Sequence, residues 1–161
     1  MIRGSFTIPG VVGKPTMTRS DSWRGRKCVE KYFAWCADAR QAANPEDPLS
    51  KIDPKEHGII GFWAFAHIRM PASWPKWKKI KYGGTLCDQK PDCSNIQKAV
   101  EDAIFTEDKW LHCPGVPNKF WAHEDEEERL DVFLLMLPDK IPYETKEEAD
   151  CVTENGGVGV P

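Results

Sequence analysis

Lys90-Pro91-Asp92-Cys93-Ser94-Asn95-Ile96-Gln97-Lys98-Ala99-Val100-Glu101-Asp102-Ala103 is the stretch on which the fold turns. Ile96, Ala99, Val100 and Ala103 fall at i, i+3, i+4 and i+7, which predicts a helix with one apolar stripe. Ser94 or Asn95 can cap its start. Asn95, Lys98 and Asp102 recur at helical spacing on the opposite edge, so an amide, a cation and a carboxylate are offered together. A turn at Thr106-Glu107-Asp108 follows. A carboxylate thus lies just ahead of the helix, a lysine one turn into it, and further acids after it. Hard divalent cations such as Mg²⁺ take oxygen ligands from a few carboxylates, with water and substrate phosphate completing the shell. A lysine beside such a site can stabilise the extra negative charge of a phosphodiester transition state. Taken alone, Asp92 reads equally as an ordinary acid at a helix start, favoured by the helix dipole.

Outward from that segment, residues 3–8 read as a first short strand ended by Pro9-Gly10, and Gly13-Lys14-Pro15-Thr16 as a loop. The spacing of Val29, Tyr32, Phe33 and Cys36 predicts a helix from Cys28 to Ala43, stopped by Asn44-Pro45. Ile59–Arg69 is an aromatic and apolar run suited to a central strand, with Phe62, Trp63 and Phe65 as core. Ser73–Lys81 reads as a short helix or loop, Trp110-Leu111 as a brief strand, and Arg129–Leu137 as a strong strand bounded by Pro138. This order predicts an α+β fold, a two-layer mixed β-sheet with helices packed on it. One domain is expected over residues 1–150, with 151–161 as a flexible C-terminal tail.

The formal net charge of −3 hides a strong asymmetry. Residues 14–40 carry seven Lys/Arg against three Asp/Glu, and residues 67–100 carry seven against two. Residues 121–161 reverse this, three against twelve. Phosphate binding depends on the local patch, so a basic body with an acidic end remains compatible with nucleic acid. Glu124-Asp125-Glu126-Glu127-Glu128 reads as a solvated loop. No apolar run reaches the roughly 20 residues of a membrane helix, no export signal is visible, and a cytoplasmic setting is expected. The six cysteines contain no CxxC pair and read as free thiols, and the four histidines show no HxH or HExxH pattern.

The order Pro-Asp-x-x-Asn-x-x-Lys-Ala-x-x-Asp-Ala, followed by Glu107-Asp108, resembles the signature of the RusA-type Holliday junction resolvases, whose motif runs Asp-x-Asp-Asn-x-x-Lys, a helix and a late Asp. The upstream Met17-Thr18-Arg19-Ser20-Asp21-Ser22-Trp23 and the basic helix with Tyr32 are similar to phage-borne members. The resemblance runs over about residues 3–137, and its specific part is Asp92–Asp108. It implies a RusA-like fold and a homodimer that resolves branched DNA by paired nicks with Mg²⁺ or Mn²⁺, in recombination and repair. It also implies roles: Asp92 and Asp108 as metal-binding catalytic acids, Lys98 as the catalytic lysine, and Asn95 and Asp102 as the accompanying helix face.

The chain departs from the signature twice. Ser94 stands where a second metal-binding Asp is expected; its hydroxyl can bond a metal-bound water but cannot neutralise a cation. Three consequences stay open: Glu107 or Glu101 compensates, cleavage is weakened or lost, or position 94 carries a deliberate substitution. The turn before Asp108 is also shorter than in the family, which bears on the placement of Glu107. Arg19, Arg24, Lys76, Lys78 and Lys79 are the candidate contacts to the DNA backbone, with Arg26, Lys27 and Lys81 as further cations, and Trp74 or Trp77 is placed to stack on an exposed base.

Overall fold

The computed structural model describes residues 4–19, 21 and 25–137. Ile59–Ile68 forms β2, the strand around which the sheet is organised. Arg129–Met136 (β5) pairs antiparallel along its length, and Ser5–Pro9 (β1) pairs antiparallel on the far side of β5. The other edge of β2 carries two short parallel partners, Cys113–Pro114 (β3) and Asn118–Trp121 (β4). The result is a mixed five-stranded sheet with Lys27–Ala43 (α1) and Cys93–Ile104 (α3) packed over one face. The expected α+β class is the one observed. The expected tail and Pro138 lie outside the described residues.

The packed face is dictated by strand alternation. Phe62, Ala64, Ala66 and Ile68 of β2 and Leu130, Val132 and Leu134 of β5 are buried under the helices. α1 buries Val29, Tyr32, Cys36, Ala39 and Ala43, a three-and-four rhythm that also draws in Trp35. α3 buries the stripe its spacing predicts, with Ile96, Ala99, Val100 and Ala103 fully inaccessible.

Two sequence expectations fail here for a common reason. Trp63 is 57 % exposed and Phe33 is 60 % exposed. Trp63 lies one residue out of phase with Phe62 and faces the side of the sheet that no helix among the described residues covers, with Phe65 in phase with it. Phe33 sits one position past the buried rhythm of α1. Apolarity was legible in both; which face receives a second layer was not. The expected strand at Trp110-Leu111 is instead a single 3₁₀ turn, Asp108–Trp110. β4 went unforeseen, because its four residues mix charge and aromatic character and acquire a period only by pairing with β2.

The acidic tract before β5 does more than face solvent. The Glu128 side chain accepts the Val11 N–H at 3.0 Å and the Arg69 N–H at 3.3 Å, while its carbonyl accepts the Gly10 N–H at 2.7 Å. One residue therefore ties together the chain leaving β1 and the chain leaving β2. These two exits lie at the same end of the sheet, since Pro9 and His67 both pair with Arg129.

Candidate active site

At that end of the sheet the loop after β1 docks on the start of α3. The Lys14 N–H donates to the Asn95 carbonyl at 2.9 Å. Gly13 lies so close that an added Cβ would stand 2.7 Å from Pro91 Cβ and 3.1 Å from Asn95 Cβ. From the other side, Lys119 of β4 donates its Nζ to the Gln89 carbonyl at 2.6 Å and to the Pro91 carbonyl at 3.1 Å. The chain entering Asp92 is thus held from both flanks before the helix begins.

Asp92 is the N-cap residue of α3, and its carbonyl accepts the N–H groups of Asn95 and Ile96. The expected cap at Ser94 or Asn95 is corrected: the helix starts at Cys93, and no side-chain cap bond is made. Ser94 lies exposed in the first turn and Asn95 is partly buried. Lys98 is exposed one turn later, and Asp102 lies a further turn on, half exposed. The Asp102 carboxylate accepts from the Tyr32 hydroxyl at 3.3 Å and pairs with Lys14. Burial pushes the Tyr32 phenol well above its usual range, which keeps it a neutral donor.

Three shallow hollows run along this edge of α3. Lys14, Lys31, Lys90, Asp92 and Asn95 line the first, of about 360 Å³. Lys14, Thr16, Met17, Asn95 and Lys98 line the second. The third, of about 330 Å³, is walled by Glu101, Asp102, Glu107 and Asp108 with Lys51 and Lys109 at its rim. The edge therefore passes from cationic at the helix start to anionic at its end.

Asp108 opens the 3₁₀ turn beyond the C-terminus of α3, and Glu107, just before it, pairs with Lys109. Asp92 and Asp108 consequently line different hollows, with the length of a 12-residue helix between them, on the order of 18 Å at the α-helical rise. Among the described residues no three of His, Cys, Asp or Glu come together as a metal-ligating group. The donors nonetheless suit Mg²⁺ in kind. That ion is commonly held by one or two carboxylates and completes its shell with water and substrate phosphate.

The basic residues expected on the surface divide into distinct groups. Lys76–Tyr82 forms α2, a helix that buries none of its residues and carries Lys76, Lys78, Lys79 and Lys81. Trp77 is 65 % exposed on it. Trp74 instead packs on the core, 5.1 Å from the Trp121 ring, with Lys78 Nζ 3.8 Å above its own ring. Arg19 is exposed in the turn before position 20, and Arg24 lies outside the described residues. Arg26 is engaged internally: its guanidinium grips the Asp21 carboxylate and the Thr16 carbonyl. That guanidinium, together with the Thr18 N–H at 2.5 Å, holds the Asp21 carboxyl at about 2 rather than its ordinary 3.8. Because the folded value is the lower one, the lock is complete above about pH 4 and is lost as the pH falls through about 2. A carboxyl ¹³C titration of Asp21 should show its midpoint near 2, and a midpoint near 3.8 would remove the lock from the fold.

Sequence reading missed Lys14, Lys31 and Lys90 as neighbours, and missed Lys119 and Glu128 altogether as organising residues. The first three sit on separate segments, and nothing in their local pattern differs from a solvated charge. A Lys between Gly13 and Pro15 in a short loop was the available signal.

The fold and this edge define an α+β domain that presents a lysine and flanking carboxylates from one helix beside a basic surface, an arrangement suited to phosphodiester chemistry on nucleic acid. The family model for Endodeoxyribonuclease RusA matches residues 13–113 of the 161-residue chain, a span that includes Lys14, α1, β2 and the whole Asp92–Asp108 segment. The chain belongs to the RusA endodeoxyribonuclease family. No curated protein and no solved structure matches it.

Proposed function

We propose that this protein is a structure-selective endodeoxyribonuclease that resolves four-way junctions by paired nicks, acting as a homodimer with Mg²⁺ or Mn²⁺ in the cytoplasm of a bacterial or phage-infected cell. One observation carries the reading: within the family-matched span, Asp92 and Asp108 flank Lys98 along a single solvent-open side of α3. Asp92 and Asp108, on the order of 18 Å apart along α3, would each hold a metal ion of its own, with the Ser94 hydroxyl beside Asp92 and Glu107 beside Asp108. When bound, the metal supplies Lewis-acid neutralisation of the phosphate and a more acidic attacking water. Lys98 donates its Nζ–H to a non-bridging oxygen of the scissile phosphate and holds the charge that grows there. Asn95 and Asp102 order the helix edge around it. Lys76, Lys78 and Lys79 of α2, with Arg19 and Arg24, contact backbone phosphates, which orients the junction without reading its sequence. Exposed Trp77 stacks on a base at the branch point.

The sheet face that no helix among the described residues covers supports the dimer. Trp63 and Phe133 are paired across β2 and β5 and both are exposed, with Phe65 against Phe133 and Phe120 beside them. A contiguous apolar patch of this kind is typical of an association surface. Trp63→Glu is therefore expected to shift the protein from dimer to monomer in sedimentation while leaving its circular dichroism unchanged. Retention of the dimer would move the interface elsewhere.

The functional test is incubation of the purified protein with a synthetic four-way junction and Mg²⁺ or Mn²⁺. Paired nicks abolished by chelator are expected, and equal cutting of linear duplex would overturn the junction reading. Ser94 motivates a second reading, a junction-binding protein with weakened or lost cleavage. Ser94→Asp separates the two. A gain of about tenfold or more, equal to about 1.4 kcal/mol of barrier, shows that the missing charge limits the site. No gain together with robust wild-type nicking points to compensation by Glu107 or Glu101.

A further inference from the structure

The described cations assigned above to DNA are Lys76, Lys78 and Lys79 on α2 and Arg19, yet the hollow beside Asp92 is lined by three other lysines from three separate segments. Lys14 comes from the loop after β1, Lys31 from the exposed side of α1, and Lys90 from the approach to α3. Among the described residues Asp92 is the single carboxylate lining that hollow, and Lys98 joins from the adjoining one through shared Lys14 and Asn95. Lys31, Lys90 and Lys98 make no ion pair with another described residue. Lys14 does pair, with Asp102, but both side chains are more than a third exposed, so the pair is weak and Lys14 can turn to a second anion. Gathering like charges round a concavity raises its affinity for anions. The loop bearing Lys14 is also fixed: its backbone is bonded to Asn95, and Gly13 allows it to lie flush on Pro91 and Asn95.

We propose that this hollow is a phosphate subsite for the DNA strand, in which Lys14, Lys31 and Lys90 hold the backbone phosphate next to the one attacked at Lys98. This deepens the nuclease reading and rests on it. Asp92 then lies between a held phosphate and the reacting one, so that the strand enters the site along the loop after β1. α2 contacts a different arm of the junction.

The experiment is a fluorescence titration of a synthetic four-way junction and of a linear duplex, repeated over a range of salt concentrations. Wild type is compared with Lys31→Gln/Lys90→Gln and with Lys31→Arg/Lys90→Arg. Each phosphate contact contributes about 0.9 to the slope of log K against log salt, so the Gln pair should flatten that slope by about two units. The Arg pair, which keeps both charges, should restore it. An unchanged slope in the Gln pair with junction preference intact overturns the subsite and leaves the nuclease reading standing. Equal binding of junction and duplex by wild type, with the slope still flattened in the Gln pair, overturns junction selectivity and leaves the subsite standing. Absence of salt-sensitive DNA binding by wild type overturns both.

Discussion

On the proposed mechanism Lys98→Met is expected to lower the rate of junction nicking roughly 100- to 1000-fold while junction affinity changes little, the loss typical of removing one preorganised donor to developing charge. The structural basis is that Lys98 is exposed on α3 and packs in no part of the core, so its removal has little to do with stability. Exposed substitutions of this type stay within about 0.5 kcal/mol. Its charge becomes important when the phosphate in the transition state carries more negative charge than in the ground state. Single-turnover nicking with saturating enzyme isolates that step from binding. A rate within a few-fold of wild type would remove Lys98 from the chemistry, whereas a loss carried wholly by weaker binding would make it one more backbone contact. Lys98→Arg keeps the charge and is expected to recover part of the rate.

Phe62→Ala is expected to cost about 3–5 kcal/mol of folding stability, the usual range for emptying a fully buried aromatic site. Phe62 is fully buried in the central strand, its ring 6.1 Å from Phe105 at an interplanar angle of 28°. It lies where β2, β5 and β3 meet, and its carbonyl accepts the Gly115 N–H at 2.8 Å. Against a total of about 5–15 kcal/mol for a natural domain, such a loss leaves the protein near its unfolding threshold. Trp63→Ala is the matched control, one residue along and on the uncovered face, and should cost far less in the isolated chain. Urea unfolding midpoints of the two variants decide the matter. Equal shifts would mean that the two faces of β2 are buried alike.

The contrast between Phe62 and Trp63 shows how far the sequence could be read. Both residues are aromatic, adjacent and in a run apolar on both sides. Periodicity identifies the strand but not how many layers cover it, because covering is a property of the other elements. α3 was legible almost to the residue, since its stripe at i, i+3, i+4 and i+7 leaves one face to bury. Its first residue was misjudged, because Asp92, Ser94 and Asn95 are about equally good capping residue types, and the backbone turns into the helix two residues before Ser94. Glu128 was read from its neighbours as solvated charge, and long-range backbone donors from Val11 and Arg69 gave it a different role.

The sequence by itself determined the family segment and the α+β class, and it singled out Asp92, Lys98 and Asp108 as the candidates proposed to carry the chemistry, because these depend on residue type and spacing along one helix. The tertiary structure alone decided that Asp92 and Asp108 line separate hollows, one cationic and one anionic. It also decided that Lys14, Lys31 and Lys90 meet beside Asp92. Electrostatic character at a point is a sum over charges near in space, and the chain brings those charges together from segments that share no local pattern.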